Sequence, residues 1–321
     1  MWKPQKREKD MDNKIYDLII LGGGPASLSA GVYASQMKLD TLLIEKEVFG
    51  GQIATTSSVT NYLGFEYITG EELSEKMHRH AENTSIQITH EEVTKTELNG
   101  DIKIVYTHSN CYKAKAVIIG IGTRVRKLGV PNESKYLGHG LSYTTLKDRD
   151  NFEGKTVAIV GGGNSAIEDA IYLSEKCKKV YIVHRRQEFR ADKGVLDSLS
   201  QAIETKNNIE LVLDAKPHGI IGDKNIEGFE VEHIPTGDIR TLVVDGIFVA
   251  IGRGADTDII DESIIRDPSG YIVTDTYMRT NISRVYAVGD IRNTPLRQIA
   301  TAVADGAIAS VTAFNDIRQS K

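Results

Sequence analysis

A chain of 321 residues, 40% hydrophobic and 26% charged, is long enough for two domains with ordinary cores. Its formal net charge of -5 argues against general nucleic-acid binding. Two cysteines, Cys111 and Cys177, are too few and too far apart for a disulfide scaffold or a zinc module, and no apolar run approaches the ~20 residues of a membrane span.

The opening, "MWKPQKREKDMDNK", lacks the apolar stretch of a signal peptide, so residues 1–13 read as the basic tail of a cytoplasmic protein. Then "IYDLIILGGGPASLSAGVYASQ" and "DTLLIEK" predict a buried strand, a tight glycine turn, a helix and a second strand. "HEEVTKTELNGDIKIVYTHSNCYKAKAVIIGIGTR" alternates like an antiparallel meander and ends in a buried strand. The first plan returns as "KTVAIVGGGNSAIEDAIYLSEK" and "KVYIVHRR". A second polar-alternating stretch, "IELVLDAKPHGIIGDKNIEGFEVEHIP", precedes the buried strand of "VVDGIFVAIGR". The chain continues through "GYIVTDTYMRTNISRVYAVGD" to a final helix expected from about Arg297 to Asn315. Two βαβ units on one plan predict an α/β protein with two Rossmann-like dinucleotide-binding domains. The expected layout inserts the second domain, residues 124–247, into a first made of residues 14–123 and 248–321.

The two glycine turns differ in their partners. In the first, Gly22 permits a tight turn and Gly24 lets backbone approach a pyrophosphate, with Pro25 and Ala26 opening the helix. Ser27 takes the position where a third glycine would favour close helix–strand packing. Glu45 follows Gly22 by 23 residues, where a carboxylate accepts from an adenosine ribose 2′-OH and repels a 2′-phosphate. In the second, Gly161, Gly163 and Ala166 form G-x-G-x-x-A with Asn164 and Ser165 between them. Here the second strand runs into His184, Arg185, Arg186 and Arg190, and guanidinium groups give paired donors to a phosphate. An acid at one site and arginines at the other indicate FAD first and NADPH, rather than NADH, second. "AVGDIR" places Gly289 and Asp290 at a strand end, where a carboxylate can accept from ribityl hydroxyls. Arg297 and Gln298, at the start of the last helix, would aim donors at the flavin and stabilise its anionic reduced ring. The plainer alternatives are an empty dinucleotide-fold scaffold, a solvated arginine face and an ordinarily capped helix.

From about Tyr16 to the C-terminal helix the chain resembles the low-molecular-weight thioredoxin reductase family of flavoproteins. The resemblance is carried by "GGGPASLSAGVYA", "GGQIATTSSVTNYLGF", "RKLGVPNE", "GGGNSAIEDAIYLS", "HRRQEFRADK", "GIFVAIGR" and "AVGDIRNTPLRQIATAVADG". It implies that residues 45–52, Gly51 and Gln52 among them, line the FAD together with Asn61, Gly122, Gly289, Asp290, Arg297, Gln298 and Ile299. It also implies a homodimer and an NADPH domain that rotates against the FAD domain between half-reactions.

One departure falls at the chemistry. The family reads S-x-C-A-T-C-D before the second glycine turn, and this chain reads "SYTTLKD". Thr144 and Lys147 stand where the resemblance places the redox dithiol, and Asp148 persists at the family's proton-donor position. Neither Thr nor Lys can form or reduce a disulfide. Cys111 and Cys177 lie 33 and 30 residues from those positions, and Cys177 reads as structural. Asp148, without thiols to serve, fits a turn role better than an acid one. No catalytic side chain and no metal ligand is identified. The expected path is hydride from NADPH to the flavin, then electrons directly to an acceptor, with ferredoxin or flavodoxin leading. The family's dithiol-free ferredoxin–NADP reductases are similar in this respect. The alternatives are a small acceptor (a quinone, oxygen or a low-molecular-weight disulfide) and a non-catalytic flavin-based redox sensor. Thioredoxin-disulfide reduction would be a name carried by homology only.

Overall fold

Strands buried on both faces of a sheet need apolar side chains at every position, and "LIIL" (residues 18–21) and "VAIV" (residues 157–160) supply them. The computed structural model describes residues 14–56, 58–255 and 257–319, and the tail expected at residues 1–13 lies outside the described residues. The chain divides into two compact units, one running to Arg124 and resuming at Gly254, the other Val125–Arg253. The second crossing falls later than the expected 247/248. Gly246–Ala250 pairs in parallel with Thr156–Gly161 along its whole length, which ties it to the inserted unit.

In the first unit the strands run in the spatial order Gln87–His90, Thr41–Glu45, Ile15–Leu21, Cys111–Ile119, Lys103–Thr107, Val93–Glu97. The first four are parallel, and Val285–Ala287 adds in parallel to Cys111–Ile119. The last two form the antiparallel meander read from alternation. One sheet face is covered by the helix Pro25–Gln36 and the final helix, in a core that includes Leu18, Ile20, Ala30, Ala34, Ala309 and Ala313. Small residues let these two helices meet at backbone distance. A Cβ on Gly306 would lie 2.0 Å from the Ala26 carbonyl oxygen. The Ser310 and Ser29 hydroxyls donate to the carbonyls of Ala30 and Val303 at 2.7 and 2.8 Å.

The final helix spans Ile299–Gln319, later at both ends than expected. At its start the Gln298 carbonyl accepts from the Ala302 N–H at 3.0 Å, so Gln298 is the cap rather than a helical residue. At its end Asp316 accepts a two-pronged bond from Arg279 at 3.0 and 2.8 Å and one from the Tyr286 hydroxyl at 2.8 Å. Those bonds dock the polar last turn.

The second unit carries an all-parallel sheet in the order Ile209–Val212, Lys179–Val183, Thr156–Gly161, Gly246–Ala250, Leu141–Ser142. A separate antiparallel sheet, Ala215–Ile221 with Gly228–His233 and Ile239–Leu242, accounts for the second alternating stretch. Among the described residues no helix is long and apolar enough to cross a membrane, and no group of three or more His, Cys, Asp or Glu could hold a metal.

Candidate functional site

The first glycine turn ends Ile15–Leu21 and opens the helix Pro25–Gln36. Gly22 has φ +98°, and a Cβ there would lie 2.6 Å from the Gly120 carbonyl oxygen, so the turn admits glycine alone. Gly24 is the N-cap, Pro25 occupies the first turn, and no side chain caps the helix. A Cβ on Gly24 would meet no atom within 4 Å. Free N–H groups beneath an open cradle suit an anion. Ala26 is buried, facing Gly289 and Gly306. Ser27 is fully buried with its hydroxyl 3.3 Å from the carbonyls of both Leu21 and Gly120. The extra side chain is accommodated because residue 120 has none, since a Cβ there would fall 2.2 Å from the Ser27 oxygen.

Glu45 ends its strand and is held at this turn. One carboxylate oxygen accepts from the Gly23 N–H, and the other accepts from the Glu47 N–H at 2.7 Å. Segments far apart in sequence converge beside it. The Gln52 amide donates to Asp290 and to the Thr123 hydroxyl, each at 3.1 Å, and Asn61 donates to the Gln298 side chain at 3.1 Å. Gly51, Gly122 and Gly289 each take positive φ, a backbone conformation that favours glycine. Ile299 packs on the small apolar cluster of Ile53, Val59, Ile68 and Leu73. Arg297 is exposed, and its guanidinium stacks 4.0 Å from the Tyr271 ring, a partner its sequence position did not suggest. Beneath the Gly289–Asp290 turn the partly buried Arg292 pairs with the buried Asp305 at 3.2 Å. The one acidic residue in the small, apolar run "IATAVADGAIAS" was its signal.

In the second turn a Cβ on Gly161 would lie 2.4 Å from the Ala250 carbonyl oxygen and 2.6 Å from the Ala166 Cβ, which accounts for the small residue at 166. Gly163 repeats Gly24: it is an N-cap without a side-chain cap, and a Cβ there would meet no atom within 4 Å. Ser165 is exposed, whereas Asn164 is committed. Its amide donates to Asp192 at 2.5 Å and its side-chain oxygen accepts from the Asp192 N–H at 2.7 Å. That pair and the bond from the Arg190 N–H to the Gly162 carbonyl, 2.7 Å, tie the arginine loop to the glycine turn.

His184 departs from the group in which its sequence position placed it. It is buried, its ring covers Gly162, and its Nε2 lies 3.1 Å from the Glu188 carbonyl. Burial pushes its pKa below the ordinary value, and the neighbouring charges of Arg190, Arg185 and Arg186 push the same way against the Glu188 carbonyl. The ring packs on the Gly162 backbone and is not exposed as the arginines are. Arg185, Arg186 and Arg190 are the exposed members of the group.

In the segment 140–152, Leu141–Ser142 is an edge strand and Thr145–Asp148 a one-turn helix that includes Lys147. Thr144 is exposed, and its N–H donates to the Ser142 hydroxyl at 3.0 Å. That hydroxyl donates to the Asp148 carboxylate at 2.6 Å, closing a local turn. Cys177 is buried in the second unit, with Sγ donating to the Phe152 carbonyl at 3.3 Å. Burial pushes its pKa up to about 11. Cys111, partly exposed, begins a strand of the first unit.

A sequence profile described as pyridine nucleotide-disulphide oxidoreductase matches residues 16–306. The chain is 39% identical over 303 residues to a 34.2 kDa protein in the rubredoxin operon of Clostridium pasteurianum, which covers 94% of this chain and 97% of that one. It is similar to the thioredoxin reductase of Lactococcus lactis, with 36% identity, TM-score 0.79, and 95% of this chain and 99% of that chain covered. It is also similar to a ferredoxin-flavin thioredoxin reductase of Clostridium acetobutylicum, with 29% identity, TM-score 0.53 and coverage of 95% and 98%. Two uncapped helix N-termini, each beside a glycine open to solvent, fit the pyrophosphates of two dinucleotides. The chain belongs to the pyridine nucleotide-disulphide oxidoreductase family, among its thioredoxin reductase-like flavoproteins, whose cofactors are FAD and NADPH.

Proposed function

We propose that this flavoprotein oxidises NADPH and delivers the electrons to a ferredoxin or flavodoxin without a protein dithiol. The observation that carries the reading is the segment 140–152. Where the relatives' resemblance calls for two thiols, the chain has Thr144 and Lys147, and Asp148 is spent on a turn with Ser142. Neither cysteine replaces them. At a pKa of about 11, only about one Cys177 in 10,000 is thiolate at neutral pH, and its sulfur is buried on Phe152. Cys111 belongs to the other unit.

FAD, when bound, supplies chemistry no side chain here offers: it takes a hydride and releases electrons singly or in pairs. The side chains bind and orient. Arg185, Arg186 and Arg190 give forked donors to the 2′-phosphate of NADPH. Glu45 accepts from the adenosine ribose of FAD. Asp290, fixed by Gln52, accepts from the ribityl chain. Asn61 and Gln298 hold each other at the start of the last helix, whose N-terminal dipole favours negative charge on the reduced ring. A ferredoxin-flavin enzyme and a rubredoxin-operon protein among the similar chains support a small electron carrier as the acceptor. A homodimeric cytoplasmic protein is part of the proposal.

The test is anaerobic mixing of the FAD-loaded protein with NADPH, followed by ferredoxin, flavodoxin, thioredoxin with a disulfide, or menadione. Rapid reoxidation by ferredoxin or flavodoxin is expected. Steady turnover of thioredoxin would refute the reading, and turnover of menadione alone would replace the protein acceptor with a small one.

A further inference from the structure

We infer that the largely buried Arg292–Asp305 pair is held charge-balanced under the Gly289–Asp290 turn so that neither charge alone displaces the reduction potential of the flavin. The inference rests on the flavin lying at that turn. Asp305 is in the second turn of the final helix, its side chain 10% exposed and that of Arg292 13%. One carboxylate oxygen accepts from the Gly289 N–H at 3.0 Å and from the Arg292 guanidinium at 3.2 Å. Arg292 in turn donates through Nε to the Thr274 hydroxyl at 2.9 Å. Burial raises the Asp305 pKa and Asp290 adds to the rise, while Arg292 and the Gly289 N–H oppose it.

Holding the turn does not require an ion pair. An amide at residue 305 would accept the same bond from Gly289, and buried charges are costly to maintain. What carboxylate and guanidinium together add is a pair of opposite charges fixed at low exposure, where solvent screens them little. Asp305 alone would oppose the positive end of the helix, and Arg292 alone would reinforce it. Paired, they leave the helix terminus and Asp290 to act on the flavin, whose reduced form gains negative charge.

The test uses full-length protein loaded with FAD. Flavin potentials are read by anaerobic equilibration with a redox dye, and FAD affinity by fluorescence. Asp305→Asn leaves Arg292 uncompensated and is expected to shift the dye equilibrium at least tenfold toward reduced flavin, about 30 mV for a two-electron couple. The double variant Asp305→Asn, Arg292→Gln removes both charges and is expected to return within threefold of the parent. An unmoved potential in Asp305→Asn, or a double variant that stays shifted, overturns the inference. If Asp305→Asn fails to hold FAD, the double variant decides: flavin retained near the parent potential supports charge balance, and flavin lost again refutes it. Asp290→Ala separates the premise. If it leaves FAD affinity unchanged, the flavin is not at this turn and the site reading fails as well. If it weakens FAD while Asp305→Asn leaves the potential unmoved, the charge-balance inference alone falls.

Discussion

Gly162→Ala tests how the second glycine turn is joined to the arginine loop. The added Cβ would lie 2.2, 2.3 and 2.7 Å from Cε1, Nδ1 and Nε2 of His184, inside any contact that real Cβ atoms make. The φ of Gly162 is not positive, so the clash is the whole perturbation. The ring has little freedom to yield. It is buried, Nε2 is held by the Glu188 carbonyl at 3.1 Å, and the His184 backbone bonds to Val212 and Ala215 at 2.9 and 3.0 Å. Overpacking of this kind costs about 1–3 kcal/mol. The Arg190 N–H is bonded to the Gly162 carbonyl, so a turn that shifts to escape the ring displaces the loop that meets the 2′-phosphate. If NADPH binding restores the parent geometry, it must restore that strain, and affinity falls about 5- to 150-fold. The assay is an NADPH titration of the FAD-loaded variant together with its melting temperature. Adding His184→Ala removes the ring and is expected to recover at least half of the lost affinity. Parent-like affinity and melting in Gly162→Ala, or no recovery in the double variant, would refute the reasoning.

Gly306→Ala would drive a Cβ to 2.0 Å from the Ala26 carbonyl oxygen and 2.9 Å from the Ala30 nitrogen, both rigid backbone. It is expected to cost about 1–3 kcal/mol or more and to release FAD on gel filtration, and full FAD content at the parent melting temperature would contradict it. Arg185→Ala should raise the KM for NADPH about tenfold and leave FAD content unchanged; an equal rise for NADH would remove the phosphate role. The folded pKa of His184 lies below its ordinary value of 6.5. The folded second unit therefore binds fewer protons than the unfolded chain as pH falls through about 6.5, and stability that is full above that pH is lost below it. Urea midpoints at pH 7.5 and 5.5 should show the loss in the parent and a smaller one in His184→Gln, and identical slopes would assign the effect elsewhere.

The two dinucleotide units were legible because their physics is local. A buried strand, a glycine turn and a helix follow one another within about twenty residues, so "YDLIILGGGPAS" and "TVAIVGGGNSA" announce themselves. What the sequence hid is pairwise and distant. Ser27 is tolerated because residue 120 is glycine, Gly162 is needed because His184 covers it, and Gly306 is needed because Ala26 crosses there. No periodicity links such partners. The same limit explains His184, whose place in "HRRQEFR" suggested a phosphate donor, although a ring one residue past a buried strand turns inward. It also explains the later domain crossing, since "GIFVAIG" reads as a buried strand without naming the sheet that takes it.

Reductive titration tests the central claim most directly. The FAD-loaded protein is titrated anaerobically with dithionite while flavin absorbance and free thiols are followed. A chain without a redox dithiol takes up two electrons per flavin and shows no new thiol at the end point. Uptake of four electrons per flavin, with two thiols appearing, would show a working disulfide in this protein and contradict the account.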